Sequence, residues 1–201
     1  MLVKSSILKY EDAVSIYNSF DNKLKINTLS PIYANVDSYR DPNIKTIYWY
    51  ANSNEEKFLH SFHMMDNNEF GISDIESAYG YGGPICNSKN TKFLKSVFNE
   101  FKIWAIENNI IAEFIRFHPL LNNQKWYKGD IIKNRETIYI DLKKDLFSQY
   151  ESRRLTDIKR GSERLIFQKV DTKKMLKFFP DLYIKNMIEV KADKFYYFNS
   201  D

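Results

Sequence analysis

The order of patterns along the chain predicts an α/β (α+β) domain with a central, mostly antiparallel mixed sheet flanked by helices. Three observations carry that expectation. Two aromatic and β-branched runs, 46–51 and 57–65, face each other across a polar turn; one long helical stripe fills 91–108; an apolar run from Ile110 stops at Pro119. Strand and helix signals interleave along the chain, which favours a sheet with helices packed on it.

Glu11 to Phe20 opens the chain as a short helix, with acids in its first turn and Val14, Tyr17 and Phe20 on one side. Ile47 to Tyr50 and Phe58 to Phe62, separated by Asn52-Ser53-Asn54-Glu55-Glu56, form an antiparallel hairpin. A glycine turn follows. Phe93, Leu94, Val97, Phe98, Phe101 and Trp104 then trace one face of a helix over 91–108. Ile110 to Phe117 reads as a strand ended by His118-Pro119, because proline cannot donate to a ladder. The alternating 136–142 segment reads as a further strand, and the basic stretch 146–164 as a helix broken or ended near Gly161. From 171 to 198 the chain reads as helical, with Pro180 starting a second helix or kinking the first. The domain expectation is therefore 1–165 followed by 166–201.

Composition narrows the function classes. Aromatics reach 16% and hydrophobic residues 43%, ample for a core. No run approaches the roughly 20 apolar residues of a membrane helix, and no secretory leader is evident, so the expected location is cytoplasmic. Cys86 is the single cysteine, which removes intrachain disulfides and multi-cysteine metal sites; its expected role is a small buried residue. His60 and His63 fall on opposite faces of one strand, so no metal site is expected. The net charge of +4 is too small to imply general nucleic-acid binding. Arginine occurs seven times, yet four of these, Arg153, Arg154, Arg160 and Arg164, fall within a dozen positions. Such planar bidentate donors suit phosphate or carboxylate.

Tyr79-Gly80-Tyr81-Gly82-Gly83-Pro84 carries the sharpest local signal. Glycine admits positive φ and close approach, its backbone N–H groups are donors, and the tyrosines supply apolar plates with polar tips. The turn lacks the spacing of a dinucleotide fingerprint. Gly80, Gly82 and Gly83 are candidates for a concave N–H donor set, and Tyr79 and Tyr81 for substrate contact. His118, and Glu76 or Asp74 before the turn, are candidate bases; His118 also fits a ring that caps its loop. Arg116 interrupts an apolar strand and needs a partner, either Glu113 or Asp141 in an ion pair or a substrate anion. Arg153, Arg154 and Lys159 are candidates for contacts to a phosphorylated carrier, while Arg153, Asp157 and Arg160 also stand at spacing for surface pairing.

Four segments, in order, resemble the FemAB-like acyltransferases of the GNAT superfamily: Tyr79 to Pro84; Phe114-Ile115-Arg116-Phe117-His118-Pro119-Leu120-Leu121 with Asn123; Arg135 to Leu142; and the basic Ser152 to Gly161. Lys159-Arg160-Gly161 departs from that family's Ile-Arg-Lys-Ala core, and no GNAT pyrophosphate loop is present. The resemblance implies a GNAT-like domain and transfer of an acyl group from acyl-CoA or aminoacyl-tRNA to an amine or hydroxyl of a cell-envelope precursor or sugar nucleotide. It implies no tightly bound cofactor, and tRNA as a possible donor carrier. The stretch 182–198 looks like the helix opening a second GNAT-like unit, which leaves three expectations: a truncated product, half of a split gene, or a chain completed by association, for instance as a homo-oligomer. A non-catalytic binding or assembly module is the competing function.

Overall fold

The computed structural model describes residues 2–67, 69–166 and 168–197. The chain divides into two compact units, Met1–Arg135 and Glu136–Asp201, a division upstream of the expected 165/166 boundary.

The first unit runs β1 (Lys4–Ile7), α1 (Tyr10–Asn18), α2 (Pro31–Ser38), β2 (Lys45–Ser53), β3 (Glu56–Asn67), β4 (Ile72–Glu76), β5 (Ile85–Cys86), α3 (Thr91–Glu107) and β6 (Ile110–Phe114). The sheet order is β1-β2-β3-β4-β6, with the two-residue β5 pairing to β3. All pairings are antiparallel except β4 with β6, which is parallel and slips register between Ser73 and Asp74. Parallel neighbours need a crossover, and α3 supplies it.

Side-chain alternation sorts the two faces. Trp49, Phe58 and Phe62 of β2 and β3 pack with Phe93, Val97 and Phe101 of α3, whereas Leu59 and Ile85 pack with Tyr17 and Phe20 at and beyond α1. The helical stripe read over 91–108 is therefore the main core contribution, and each of its buried members is worth about 1.5–3 kcal/mol of transfer free energy. Asn90 caps α3, its side chain accepting the N–H groups of Lys92 and Phe93.

The hairpin, α1 and α3 match the sequence expectation; four elements and several boundaries do not. β1, β4 and β5 are short, and α2 carries its apolar residues in too short a run for periodicity to reveal it. The strand expected to reach Phe117 ends at Phe114, leaving Arg116 outside it. The strand expected over 136–142 does not form: the segment has no regular structure and no ladder among the described residues, and Ile138 is 92% exposed. Its end folds into a local loop instead, as the Asp141 N–H donates to Gln149 and Gln149 donates back to the Asp141 carbonyl.

The second unit contains α4 (Ser152–Arg164) and α5 (Thr172–Glu189). A 3-10 turn at Phe147–Gln149 precedes α4, and Gly161 lies inside the helix, where its carbonyl still accepts the Leu165 N–H. Pro180 lies inside α5 and starts no second helix.

Candidate functional site

The carboxyl ends of β4 and β6 close against each other. The Ser77 N–H donates to the Phe114 carbonyl at 2.9 Å, the Arg116 N–H to the Ser77 hydroxyl at 3.2 Å, and the Gly82 N–H to the Arg116 carbonyl at 2.8 Å. Gly82 also bridges Phe117 in parallel fashion, so the glycine turn continues the β4 side of the parallel pair. A Cβ on Gly82 would stand 2.5 Å from the Ser77 Cβ. Gly83 has φ +93°, and a Cβ there would press on Asn123, Phe117 and Ile115 at 2.9–3.1 Å. These two glycines are required by close approach, and at Gly83 also by conformation.

Asn123 staples the turn to the loop after β6. Fully buried, it donates to the Gly82 carbonyl at 2.8 Å and the Pro84 carbonyl at 3.3 Å, and accepts the His118 N–H at 3.0 Å. His118 itself is half-buried: its Nδ1 accepts the Leu120 N–H, its ring meets Tyr81 edge-on, and burial lowers its pKa, favouring the neutral imidazole. The loop-capping reading of His118 thus describes its Nδ1, and a proton-accepting role rests on the other ring nitrogen.

On the α2 side, Glu76 ends β4 and accepts from Arg40 Nη2 at 2.5 Å. Arg40 Nε also lies 3.4 Å from Asp37. Asp37 in turn accepts from the buried His63 Nε2 and from the Tyr79 N–H, each at 2.9 Å, while the Tyr33 hydroxyl donates to the Tyr79 carbonyl at 2.9 Å. Burial alone would raise the Asp37 pKa, but the His63 and Tyr79 hydrogen bonds and the Arg40 charge outweigh it, so the carboxyl lies below its ordinary range. Tyr33 and Asp37 stand one turn apart on α2 and Arg40 follows just beyond its end, so together they lay a polar group over the end of β4 and the start of the glycine turn.

Glu76, Tyr79, Tyr81, Gly82, Gly83, Arg116 and His118 accordingly gather around the ends of β4 and β6. Arg153, Arg154 and Lys159 stand in the second unit on α4, where they are exposed; Asp157 pairs with Arg154 at 3.6 Å, not with Arg153 or Arg160. Arg116 is exposed in the loop after β6, and among the described residues it forms neither ion pair expected for it, with Glu113 or with Asp141. Glu113 is taken up on the α3 face, between His60 Nε2 at 3.0 Å and the Tyr127 hydroxyl at 2.5 Å, while Asp141 lies 3.9 Å from Lys144. The N–H donor set is also smaller than expected, because Gly82 spends its N–H on the Arg116 carbonyl. Asp74 is exposed on β4, and Cys86 is fully buried beside Ser88. Among the described residues no group of three His, Cys, Asp or Glu side chains is placed to hold a metal ion.

Sequence reasoning missed Tyr33, Asp37, Arg40, His63 and Asn123 as site-forming residues. One signal was present: Ser30-Pro31 is an N-cap followed by proline at the first helical position, and the Ser30 hydroxyl does accept the Tyr33 N–H. A helix placed there brings 33 and 37 to one face and leaves Arg40 just past its end.

No family model matches the chain, and neither the curated proteins nor the solved structures contain a match to it.

Proposed function

We propose that the chain is an acyltransferase of the FemAB-like, GNAT-related kind, transferring an acyl or aminoacyl group to an amine of a cell-envelope precursor or sugar nucleotide. The observation that carries this reading is the single parallel pair, β4 with β6, whose carboxyl ends hold the glycine turn, Glu76 and His118 together. Crevices at the carboxyl ends of parallel strands are where open α/β sheets take ligands. The order β1-α1-α2-β2-β3-β4-α3-β6 also fits a GNAT-like domain, with the helices of the second unit as the opening of another.

In the reaction, the acceptor ammonium gives a proton to Glu76, directly or through water, with neutral His118 as the other proton acceptor at this end of the sheet. The free amine attacks the acyl carbonyl, the C–N bond forms as the C–S bond of acyl-CoA or the ester C–O bond of aminoacyl-tRNA breaks, and the second amine proton passes to the leaving sulfur or oxygen, so the carrier departs as a thiol or a hydroxyl. Arg40 holds the Glu76 carboxylate in place. Gly80 and Gly83 remain the candidate N–H donors to the developing oxyanion, and Tyr79 and Arg116 stand exposed for the acceptor.

One observation favours the alternative of a non-catalytic binding or assembly module: the turn commits the N–H groups of Tyr79 and Gly82 and the carbonyls of Tyr79, Gly82 and Pro84 to internal bonds. The two readings separate in one assay. Labelled acetyl-CoA or charged tRNA is supplied with an amino-sugar nucleotide; the enzyme reading expects turnover that falls about 10²–10⁴-fold in Glu76→Gln. Acceptor binding that raises the melting temperature without any turnover supports the module, and absence of both effects removes the proposal.

A further inference from the structure

On the α3 face of the sheet, opposite the face that carries His63 and Asp37, a groove of about 170 Å³ lies between α3 and the edge strand β6. Phe101 and Ala105 of α3, Ile75 of β4 and Ile110 to Ala112 of β6 give it apolar walls, and Glu113 is the one charged group among its lining residues. Ile111 and Ala112 are exposed, so the groove opens to solvent at the sheet edge. The Glu113 side chain is 14% exposed, and its two oxygens accept separately, one from His60 Nε2 and the other from the Tyr127 hydroxyl.

The hydrogen-bond inventory sets the charge of this group. His60 is 1% exposed, and its Nδ1 has no partner among the described residues. A buried N–H without an acceptor is rarer than a bare lone pair, so the proton sits on Nε2 and the ring is neutral. With a donor aimed at each of its oxygens, Glu113 is an ionised acceptor. Burial and the Glu113 charge push the Tyr127 hydroxyl up, so it stays a neutral donor. Neither neighbour cancels the carboxylate, and among the described residues no lysine or arginine pairs with it. A carboxylate left without a counter-charge against apolar walls is costly, and each oxygen keeps a second acceptor position.

An ammonium supplies both the missing charge and the missing donors; a neutral alcohol supplies only a donor, and an anion is repelled. Pockets for drug-sized ligands start at about 300 Å³, so this groove suits a short chain. We propose that it binds a small aliphatic amine, the hydrocarbon stem on Phe101, Ala105 and Ile110 and the ammonium on Glu113, independently of the reading of the glycine-turn site.

Titration of the full chain with n-pentylamine, followed by two-dimensional amide NMR, tests this. The amides of Ala105 and of Ile110 to Phe114 are expected to shift and saturate with a Kd on the order of 1 mM. Pentanol and pentanoate are expected to bind at least about tenfold more weakly. Glu113→Gln keeps the shape of the side chain and is expected to lose the same factor, while Ala105→Leu fills the groove and abolishes the shifts in a helix that tolerates leucine. Equal affinity for pentylamine and pentanol, amine binding that survives either substitution, or no saturating shift at these amides overturns the proposal. So does tighter binding of Nα-acetyl-lysine amide than of pentylamine, which places a lysine of a partner protein in the groove.

Discussion

One side chain, Asn123, satisfies two carbonyls and one N–H at the junction of two loops, all in a place with no solvent access. Asn123→Ala leaves those groups without partners, and each buried unsatisfied group costs about 1–3 kcal/mol. A loss near about 3 kcal/mol in urea denaturation is expected, larger than for truncating an exposed asparagine such as Asn122. Gly83→Ala adds a Cβ where φ is +93° and three side chains are already in close reach, and is expected to destabilise by a further about 1–3 kcal/mol. Asp37 carries a sign in pH. Its folded pKa lies below the unfolded value, so its stabilisation is complete above the ordinary carboxylate range and disappears as pH falls through the folded value. Asp37→Asn is therefore expected to lower the urea midpoint at neutral pH and to flatten the acid limb below about pH 4; an unchanged acid limb contradicts the role given to the His63 and Tyr79 bonds. Burial pushes the Cys86 thiol up to about 12, so a disulfide reagent such as DTNB should modify it only on the timescale of unfolding.

Elements differ in how plainly their residues announce them. α3 is legible because six apolar residues keep one stripe through its length, and the β2–β3 hairpin because aromatic runs flank a turn with Asn54 in the left-handed region. α2 is eight residues long and its exposed Ile32 and Val36 blur any stripe, so capping residues are its only signal. β4 and β5 take their identity from neighbours, which no local pattern records. The candidate site divides in the same way: the glycine turn and His118 stand out by residue type, whereas Asp37, Arg40 and His63 become a cluster only once α2 is laid across the sheet. The 136–142 run shows the converse, a good strand pattern that forms no ladder among the described residues. Capping offers a test at this scale. Asn90→Ala removes the acceptor for two N–H groups at the start of α3 and is expected to cost about 1 kcal/mol, with Asn90→Asp retaining most of the stability.

The whole molecule joins a unit with a dense aromatic core to one whose described residues include none that are buried. Cooperativity comes from shared burial, so the two units are not bound to melt together. Trp49, Trp104 and Trp126 all belong to Met1–Arg135, and Trp49 and Trp126 are in its core. α4 and α5, by contrast, hold nearly half of the helical residues and depend on local hydrogen bonds, with Pro180 removing one donor from α5. Urea is therefore expected to remove a first part of the far-UV helical signal before tryptophan emission changes, and the remainder together with the emission shift. Pro180→Ala restores the missing donor and is expected to move only the first of these steps to higher urea. Coincident curves by the two probes, displaced together by Pro180→Ala, would show instead that the second unit draws its stability from the first.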